Sequence, residues 1–496
     1  MTEALDDVKN PITDEEFIAE MQKYDYIRLS MTDMNGLHLS KLVSTRFAKK
    51  IAEGHSEMSC GMITFGPRFE VIDIPDVLDA NYANGYLIPD RTTLHPCPWA
   101  GFQNPDITES AATRKTPNVC SVVCDITWKD GRPIEAYPRL LAKKMIAQLE
   151  ERYGLTILSA FEPEFRAFKR EGIEQTCKHP ENRLSGAKNT VLKDLVPFTL
   201  GDDMYKTSYL AVYENFFMDF DRQMNAIGIH IQDFLNENGE GQLETPLSPE
   251  VGITAADHYF IMKQAVKEIG LKHNMAISFM TAPLFGDSSS GCHYNHSLWR
   301  KDGSNAFYDP KEPDQLSPLA RHWIAGLLDH LPAMQTLCSP TVNCYRRLHR
   351  KLAPDIVNWD IDDRYSSIRV KNKDEKNTYI ENRTPSSAAN PYLVMAATIA
   401  AGMLGIEKGK EPVPPKGFKR VQGRHEPYVT LPSSLHEAID TLHHDRELVD
   451  RLGSNFIEWY VMVKERGDLR NLGKIELRHN SEIDLAEERY EYLLYI

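Results

Sequence analysis

Residues 157–168 read Ile-Leu-Ser-Ala-Phe-Glu-Pro-Glu-Phe-Arg-Ala-Phe, and the other chemistry-bearing stretches make sense when worked outward from them. In an extended segment side chains alternate between faces, so Glu162 and Glu164 point one way while Phe161 and Phe165 point the other. Two carboxylates side by side repel, and burying either one unpaired is costly, so the pair calls for cations beside it. A divalent metal is one candidate. Arginine or lysine partners on a solvated strand face are the plainer one, and later stretches decide between the two.

Length and composition set the bounds. With 496 residues, 42% of them hydrophobic, the chain exceeds one ordinary domain and can bury a large core. Its formal charge of −14, spread along the chain with no offsetting basic tract, argues against nucleic acid and anionic membrane surfaces as partners. The opening Met1-Thr-Glu-Ala-Leu-Asp-Asp has neither the basic start nor the apolar run of a signal peptide. The longest nearly apolar run, Tyr392 to Ile406, is too short to span a membrane and reads as a buried helix. Eight cysteines without zinc-finger or CxxC spacing fit a reducing cytoplasm, with Cys120 and Cys124 as core residues of a Val-rich strand.

In chain order, residues 1–22 are an acidic tail and a helix whose Thr13 and Glu16 have capping-box spacing. A strand from Tyr26, a turn at Met34-Asn-Gly-Leu, a second strand and helix, and then short strands with Pro-rich turns make residues 23–130 a small β-rich domain. After the turn-like Trp128-Lys-Asp-Gly-Arg-Pro, a periodic helix from Tyr137 to Tyr153 opens a second domain, 131–496. Residues 170–205 are polar and longer than a usual connection, which suggests an insertion near a site.

Five further stretches match the carboxylate pair. After a strand expected over Gly228–Phe234, the stretch Glu237-Asn-Gly-Glu-Gly-Gln-Leu-Glu puts Glu237 and Glu244 on either side of a glycine-containing turn. Gly286-Asp-Ser-Ser-Ser-Gly-Cys-His places His293 after a hydroxyl-rich loop. Arginines cluster in 340–348 and 363–369, and Tyr379-Ile-Glu-Asn-Arg sets Glu381 and Arg383 on one strand face. Singly, each reads more plainly as a satisfied core histidine or a surface ion pair, and no Walker-type Gly-Lys-Ser is present. Together, five glutamates and one histidine suit hard ions such as Mg²⁺ or Mn²⁺. Arginines beside such ions suit phosphoryl transfer, whose transition state spreads negative charge over oxygens.

The order Glu-x-Glu, Glu-x-Gly-x-Gly-Gln-x-Glu, Gly-x-His, Asn-x-Tyr-x-Arg-Leu, Arg-x(4)-Arg and Glu-x-Arg, ahead of Ala388-Ala-Asn-Pro-Tyr-Leu, resembles the glutamine synthetase superfamily. The resemblance runs from about Tyr26 to beyond residue 450. It implies an α+β fold: a small N-terminal β-grasp domain, and a large catalytic domain with a curved antiparallel sheet flanked by helices. It also implies a ring-shaped homo-oligomer, often a dodecamer, with sites between subunits. By that resemblance Glu164, Glu237 and Glu244 hold one metal, and Glu162, His293 and Glu381 hold another, so that each site takes two or three Mg²⁺ or Mn²⁺ ions. Arg347, Arg383 and Ser289 bind glutamate; Asn295, Ser297, Arg364 and Arg369 contact ATP, with Arg364 and Arg369 steadying the transferred phosphoryl group. The implied reaction phosphorylates the γ-carboxylate of glutamate with ATP and then lets a nitrogen nucleophile displace phosphate.

Departures from the family pattern bear on which nitrogen. The Phe-Asp-Gly-Ser-Ser stretch whose Asp handles ammonium is absent near Glu57-Met-Ser-Cys-Gly. Leu352 stands nearest the position of the flap glutamate that closes over ammonium. Asn295 replaces a second histidine, with His296 next door as a substitute, and Ser288-Ser289 replaces an Asn-Gly of the glutamate loop. An apolar residue where a carboxylate held a small cation favours a neutral or apolar-bodied amine. The expected activity is therefore that of a γ-glutamylamide synthetase acting on a primary amine, aromatic like aniline or small alkyl. A glutamine synthetase using ammonia is the alternative. A non-catalytic structural member of the family would show eroded metal ligands, and all six are intact. Asp363, Glu240 and His296 are within sequence reach as the base that deprotonates the amine.

Overall fold

The computed structural model describes residues 12–100, 118–170, 195–202, 204–348, 353–415, 429–476 and 482–496. The helix Asp14–Met21 starts with the capping box read from sequence: Glu16 N donates to Thr13 Oγ1 at 3.2 Å and Thr13 N to Glu16 Oε2 at 2.9 Å. Strands β1 (Tyr26–Thr32), β2 (His38–Ser44), β3 (Ser56–Ser59), β4 (Asn84–Pro89), β5 (His95–Pro96) and β6 (Val119–Trp128) form one sheet in the order β2-β1-β6-β4-β3, with β5 on β6. Alternation decides its buried face, since Ile27, Leu29 and Met31 are almost fully buried. The β1–β2 turn closes where Asp33 Oδ1 accepts Leu37 N at 2.8 Å and Gly36 takes φ +81°.

The second sheet contains β7 (Leu155–Lys169), β8 (Leu235–Asn236), β9 (Gln242–Glu244), β10 (Glu250–Val251), β11 (Met275–Ser278), β12 (Cys292–Arg300), β13 (Trp359–Ile361), β14 (Ile368–Asn372) and β15 (Thr378–Asn382). Its order is β13-β14-β15-β12-β7-β9-β8, with β10 and β11 also on β7, and every pairing but β13–β14 is antiparallel. β7 changes partners along its length: β12 and β10 flank its first part, β9 and β11 its last. Pro163 sits at the changeover, where the absent N–H costs least and its carbonyl still accepts Thr245 N at 3.2 Å. The strand expected over Gly228–Phe234 is not formed; it is reduced to an isolated bridge between Ile231 and Leu247. Pro246 in the facing segment has no N–H with which to extend that ladder.

Two buried polar junctions tie the first sheet to the helices Thr254–Lys272 and Pro391–Lys408. Arg139, fully buried on the helix Pro138–Tyr153, donates to Asp257 (2.8 and 2.7 Å), Asp125 (2.7 Å) and Asp90 (2.7 Å), joining strands of the first sheet to the helix Thr254–Lys272. Asn390 caps the helix Pro391–Lys408 by accepting Tyr392 N at 3.1 Å, and its Nδ2 donates to Asp33 O at 3.1 Å. Pro391 fills the first helical turn and Tyr392 donates its hydroxyl to Asp257 at 2.7 Å, so Asn-Pro-Tyr is a start signal and a docking pin at once. The helix is buried from Pro391 through Gly405, and none of the described helices is long and apolar enough to cross a membrane.

Candidate metal and substrate site

The register of the central strands assembles the acidic residues. Glu162 faces His293 across β7–β12, Glu164 faces Glu244 across β7–β9, and Glu381 faces both Asn295 on β12 and Arg369 on β14. Because side chains on facing strands share a face, groups far apart in sequence meet. Glu237 comes back over them from the turn that joins β8 to β9.

Glu162, His293 and Glu381 offer ligand atoms that all lie within 4.8 Å of one another. His293 Nδ1 is buried with no hydrogen-bond partner, 3.8 Å from Glu162 Oε2 and 3.5 Å from Glu381 Oε1. An orphaned imidazole nitrogen between two carboxylates fits a divalent cation that takes oxygen and nitrogen donors. Burial pushes Glu162 up, but the His293 imidazole beside it and the Asn295 amide at 3.2 Å outweigh this and hold it at about 2. Glu164 stands close enough to Glu237 and Glu244 for its charge to act on both. Burial, then the charge of Glu164, raises Glu237 to about 7; burial, then the charges of Glu162, Glu164 and Glu237, raises Glu244 well above the carboxylate range. Such crowding is what a second cation would relieve. The six residues expected as metal ligands are thus brought to one place.

The expected substrate residues border them. Arg383 Nη1 reaches Glu381 Oε1 at 2.6 Å and Arg369 Nη1 reaches Glu381 Oε2 at 3.1 Å. Arg347, at the end of the 3₁₀ helix Val342–Arg347, is 7% exposed and, among the described residues, donates to the carbonyls of Thr384 (3.2 Å) and Arg383 (3.1 Å). Burial without a carboxylate partner lowers its pKa to about 10. A buried guanidinium hydrogen-bonded to carbonyls, with the Glu164 charge near it but not ion-paired to it, suits reception of an anion. It crowds Gly291, where a Cβ would come within 2.7 Å of Arg347 Nη2 and 3.4 Å of His293 Nε2.

Asn295 and Ser297 alternate with His293 on one face of β12, and Ser297 Oγ accepts Trp299 Nε1 at 2.9 Å. Arg364 is exposed, and its charge acts on Glu237. The Ser289 carbonyl accepts Gln242 Nε2 at 3.3 Å. Leu352 and most of the expected 170–205 insertion lie outside the described residues. His296 cannot substitute for the missing histidine: it is on the other face of β12, accepting Trp323 Nε1 at 2.9 Å, and burial lowers its pKa to about 4. The same geometry removes it as the amine's base. Glu240, another base candidate, has a pKa raised by burial and by the charge of Asp287.

Three contributors were not picked out from sequence. Gln242 Nε2 holds Glu164 Oε2 at 2.6 Å. Asp362 accepts Arg369 Nη2 at 2.6 Å. Arg166, fully buried, donates to Asp287 Oδ2 (2.7 Å), to Glu240 O (2.6 Å) and to Ser288 O, tying the Glu237–Glu244 turn to the Gly286–Gly291 loop. Its signal was available, because Arg166 continues the two-residue period of Glu162 and Glu164.

Comparison with known proteins bears on which family the chain belongs to. The catalytic-domain profile of glutamine synthetase matches residues 135–481. The glutamine synthetase of Thermus thermophilus is 30% identical over 449 residues, 89% of this chain and 91% of that one. Lengsin of Canis lupus familiaris is 29% identical over 458 residues, 90% of this chain and 71% of its own. The solved structure of apo GmaS without ligand superposes with a TM-score of 0.76 at 22% identity, covering 94% of this chain and 97% of GmaS, which is a likeness of fold. With the profile covering well over half its length, the chain belongs to the glutamine synthetase family and carries that family's ATP-dependent ligase catalytic domain.

Proposed function

We propose that the protein is an ATP-dependent glutamate–amine ligase that makes a γ-glutamylamide from an organic primary amine, aromatic or small alkyl, through a γ-glutamyl phosphate. The observation that carries the ligase chemistry is the juxtaposition, across Gly291, of the Glu162–His293–Glu381 cluster with the buried guanidinium of Arg347, which hydrogen-bonds to carbonyls. In this reading Glu162, His293 and Glu381 hold one divalent cation and Glu164, Glu237 and Glu244 another, which supply charge neutralisation for the ATP phosphates and the attacking carboxylate. Arg347 and Arg383 grip the carboxylates of glutamate, and Ser289 lies on the loop beside them. Asn295 and Ser297 face the nucleotide, while Arg364 and Arg369 meet the charge that spreads over the transferred phosphoryl group. The γ-carboxylate oxygen attacks the terminal phosphorus and ADP leaves. The amine nitrogen then attacks the acyl carbon, phosphate departs, and the nitrogen loses a proton.

Choice of an organic amine is supported by what replaces the ammonium-handling stretch. β3 and the turn after it read Ser-Glu-Met-Ser-Cys-Gly, with Cys60 fully buried, so no aspartate follows the strand there. The ammonia-using reading is favoured instead by the Thermus thermophilus relative. The cell compartment proposed is the cytoplasm, in keeping with buried free thiols at Cys60, Cys97, Cys120, Cys124, Cys292, Cys338 and Cys344, and the assembly proposed is a ring, often a dodecamer in this family, with sites between copies.

Phosphate release from ATP with glutamate and Mg²⁺, measured below saturation across ammonium, methylamine, isopropylamine, ethanolamine, putrescine and aniline, tests the reading through the ratio of kcat/KM values. An organic amine is expected to exceed ammonium by more than roughly tenfold, or about 1.4 kcal/mol of discrimination. If ammonium wins, the protein is a glutamine synthetase. Leu352→Glu is expected to move preference back toward ammonium; an unchanged amine profile removes that residue from the pocket.

A further inference from the structure

A cavity lies between the β1–β2 turn, the helix Thr254–Lys272 and the residues Leu494 and Tyr495. It encloses about 270 Å³, and its lining includes Leu37, His38, Phe260, Lys263, Lys267 and Leu494. None of the candidate metal or substrate residues faces it.

Its charges are the unusual part. Lys263 is 6% exposed and forms no hydrogen bond or ion pair among the described residues; its ammonium lies 5.1 Å from the centre of the Phe279 ring. Lys267, one helical turn on, lies 5.8 Å from the same ring and, among the described residues, donates to the Tyr495 carbonyl at 3.4 Å. His38 is stacked on Phe260, with ring centres 4.5 Å apart. Burial lowers all three, Lys263 to about 8, Lys267 to about 7 and His38 to about 3. A lysine buried as deeply as Lys263 is ordinarily paired with an acid, and the half-buried Lys267 on the next turn repels it. Neither is within ion-pair distance of any described carboxylate. The apolar walls would solvate a hydrocarbon body, and the lysines would meet an anionic head.

We propose that this cavity is a binding site for a small organic anion, a carboxylate or phosphate ester on a compact apolar body, with Lys263 and Lys267 as its counter-ions. A volume slightly below that of drug-sized pockets limits the ligand to metabolite size. The site is separate from the catalytic reading and stands or falls independently of it.

The test is calorimetric titration of the full-length protein with benzoate and with phenyl phosphate, comparing wild type, Lys263→Met, Lys267→Met and Lys263→Arg. Wild type is expected to bind at least one probe, and the stronger of the two identifies the head group. Lys263→Met and Lys267→Met should each weaken it tenfold or more while ATP turnover with glutamate is retained, and Lys263→Arg should restore most of the affinity. Should either methionine variant fail to fold, NMR of reductively ¹³C-methylated wild type gives the same answer: the Lys263 signal shifts with the probe if the site is real. No binding to wild type, undiminished binding to Lys263→Met, or a methyl-lysine signal that the probes leave unmoved overturns the proposal. So does finding that a carboxylate from a second copy of the chain fills the cavity in the assembled protein.

Discussion

Replacing Gly291 by alanine should separate glutamate binding from the rest of catalysis. The added Cβ would sit 2.7 Å from Arg347 Nη2 and 3.3 Å from its Cζ, where ordinary contact begins near 3.4 Å. Gly291 has little room to yield, since its N donates to Glu164 Oε2 at 3.0 Å and its O accepts Glu164 N at 3.0 Å. The guanidinium must therefore move by several tenths of an ångström and strain its bonds to the Thr384 and Arg383 carbonyls. Hydrogen bonds made by a charged donor contribute roughly 1.5–3 kcal/mol, and misplacing a binding group by about 1 Å costs on the order of a hundredfold. The expected result is a fall of about 10- to 100-fold in kcat/KM for glutamate, with the KM for ATP changed by less than about threefold. Initial rates of phosphate release, varied in glutamate and in ATP separately, read this directly. Wild-type glutamate kinetics in a folded Gly291→Ala protein would refute the placement of Arg347 in the glutamate pocket.

Other expectations can be checked with the same protein. Glu162→Ala and Glu381→Ala should each abolish ATP turnover while circular dichroism shows the fold retained; near-normal turnover would remove that cation from the mechanism. Gln242→Leu frees Glu164 from its 2.6 Å bond and should weaken Mn²⁺ binding by about 10- to 100-fold in a metal titration, the usual cost of losing a group that orients a ligand. Asp33, buried and raised to about 7 chiefly by that burial, gives a pH signature. A folded carboxyl that resists ionisation costs no stability below its unfolded pKa of about 4, and the cost grows until pH passes about 7. Wild type should therefore lose on the order of 2–4 kcal/mol relative to Asp33→Asn between pH 4 and 7, as measured by urea unfolding. Parallel pH profiles for the two proteins would contradict it.

Much of this molecule could be read from its sequence, for reasons visible in individual residues. Glu162 and Glu164 were legible because a strand has a rigid two-residue period, and the Thr13–Glu16 box because capping is local. Asn390 was noticed as part of a signature, but its bond to Asp33, across most of the chain, belongs to tertiary packing that no local pattern encodes. His296 misled for the same reason as Glu162 succeeded: adjacency in a strand means opposite faces, so the neighbour of a site residue is the one least able to replace it. The strand expected over Gly228–Phe234 fails through Pro246, a residue in the partner segment and not in the stretch being read.

The run of β7 through the middle of the sheet has an evolutionary consequence. One unbroken strand carries Glu162 for one proposed cation and Glu164 for the other, so their backbone separation is the strand's own two-residue repeat, about 6.8 Å. Connections between strands, such as 286–291 here, are in general where insertions and deletions are tolerated, and a change there would leave that spacing unaltered. A lineage could trade one amine for another by redrafting loops alone, with the ruler that sets the charges left untouched.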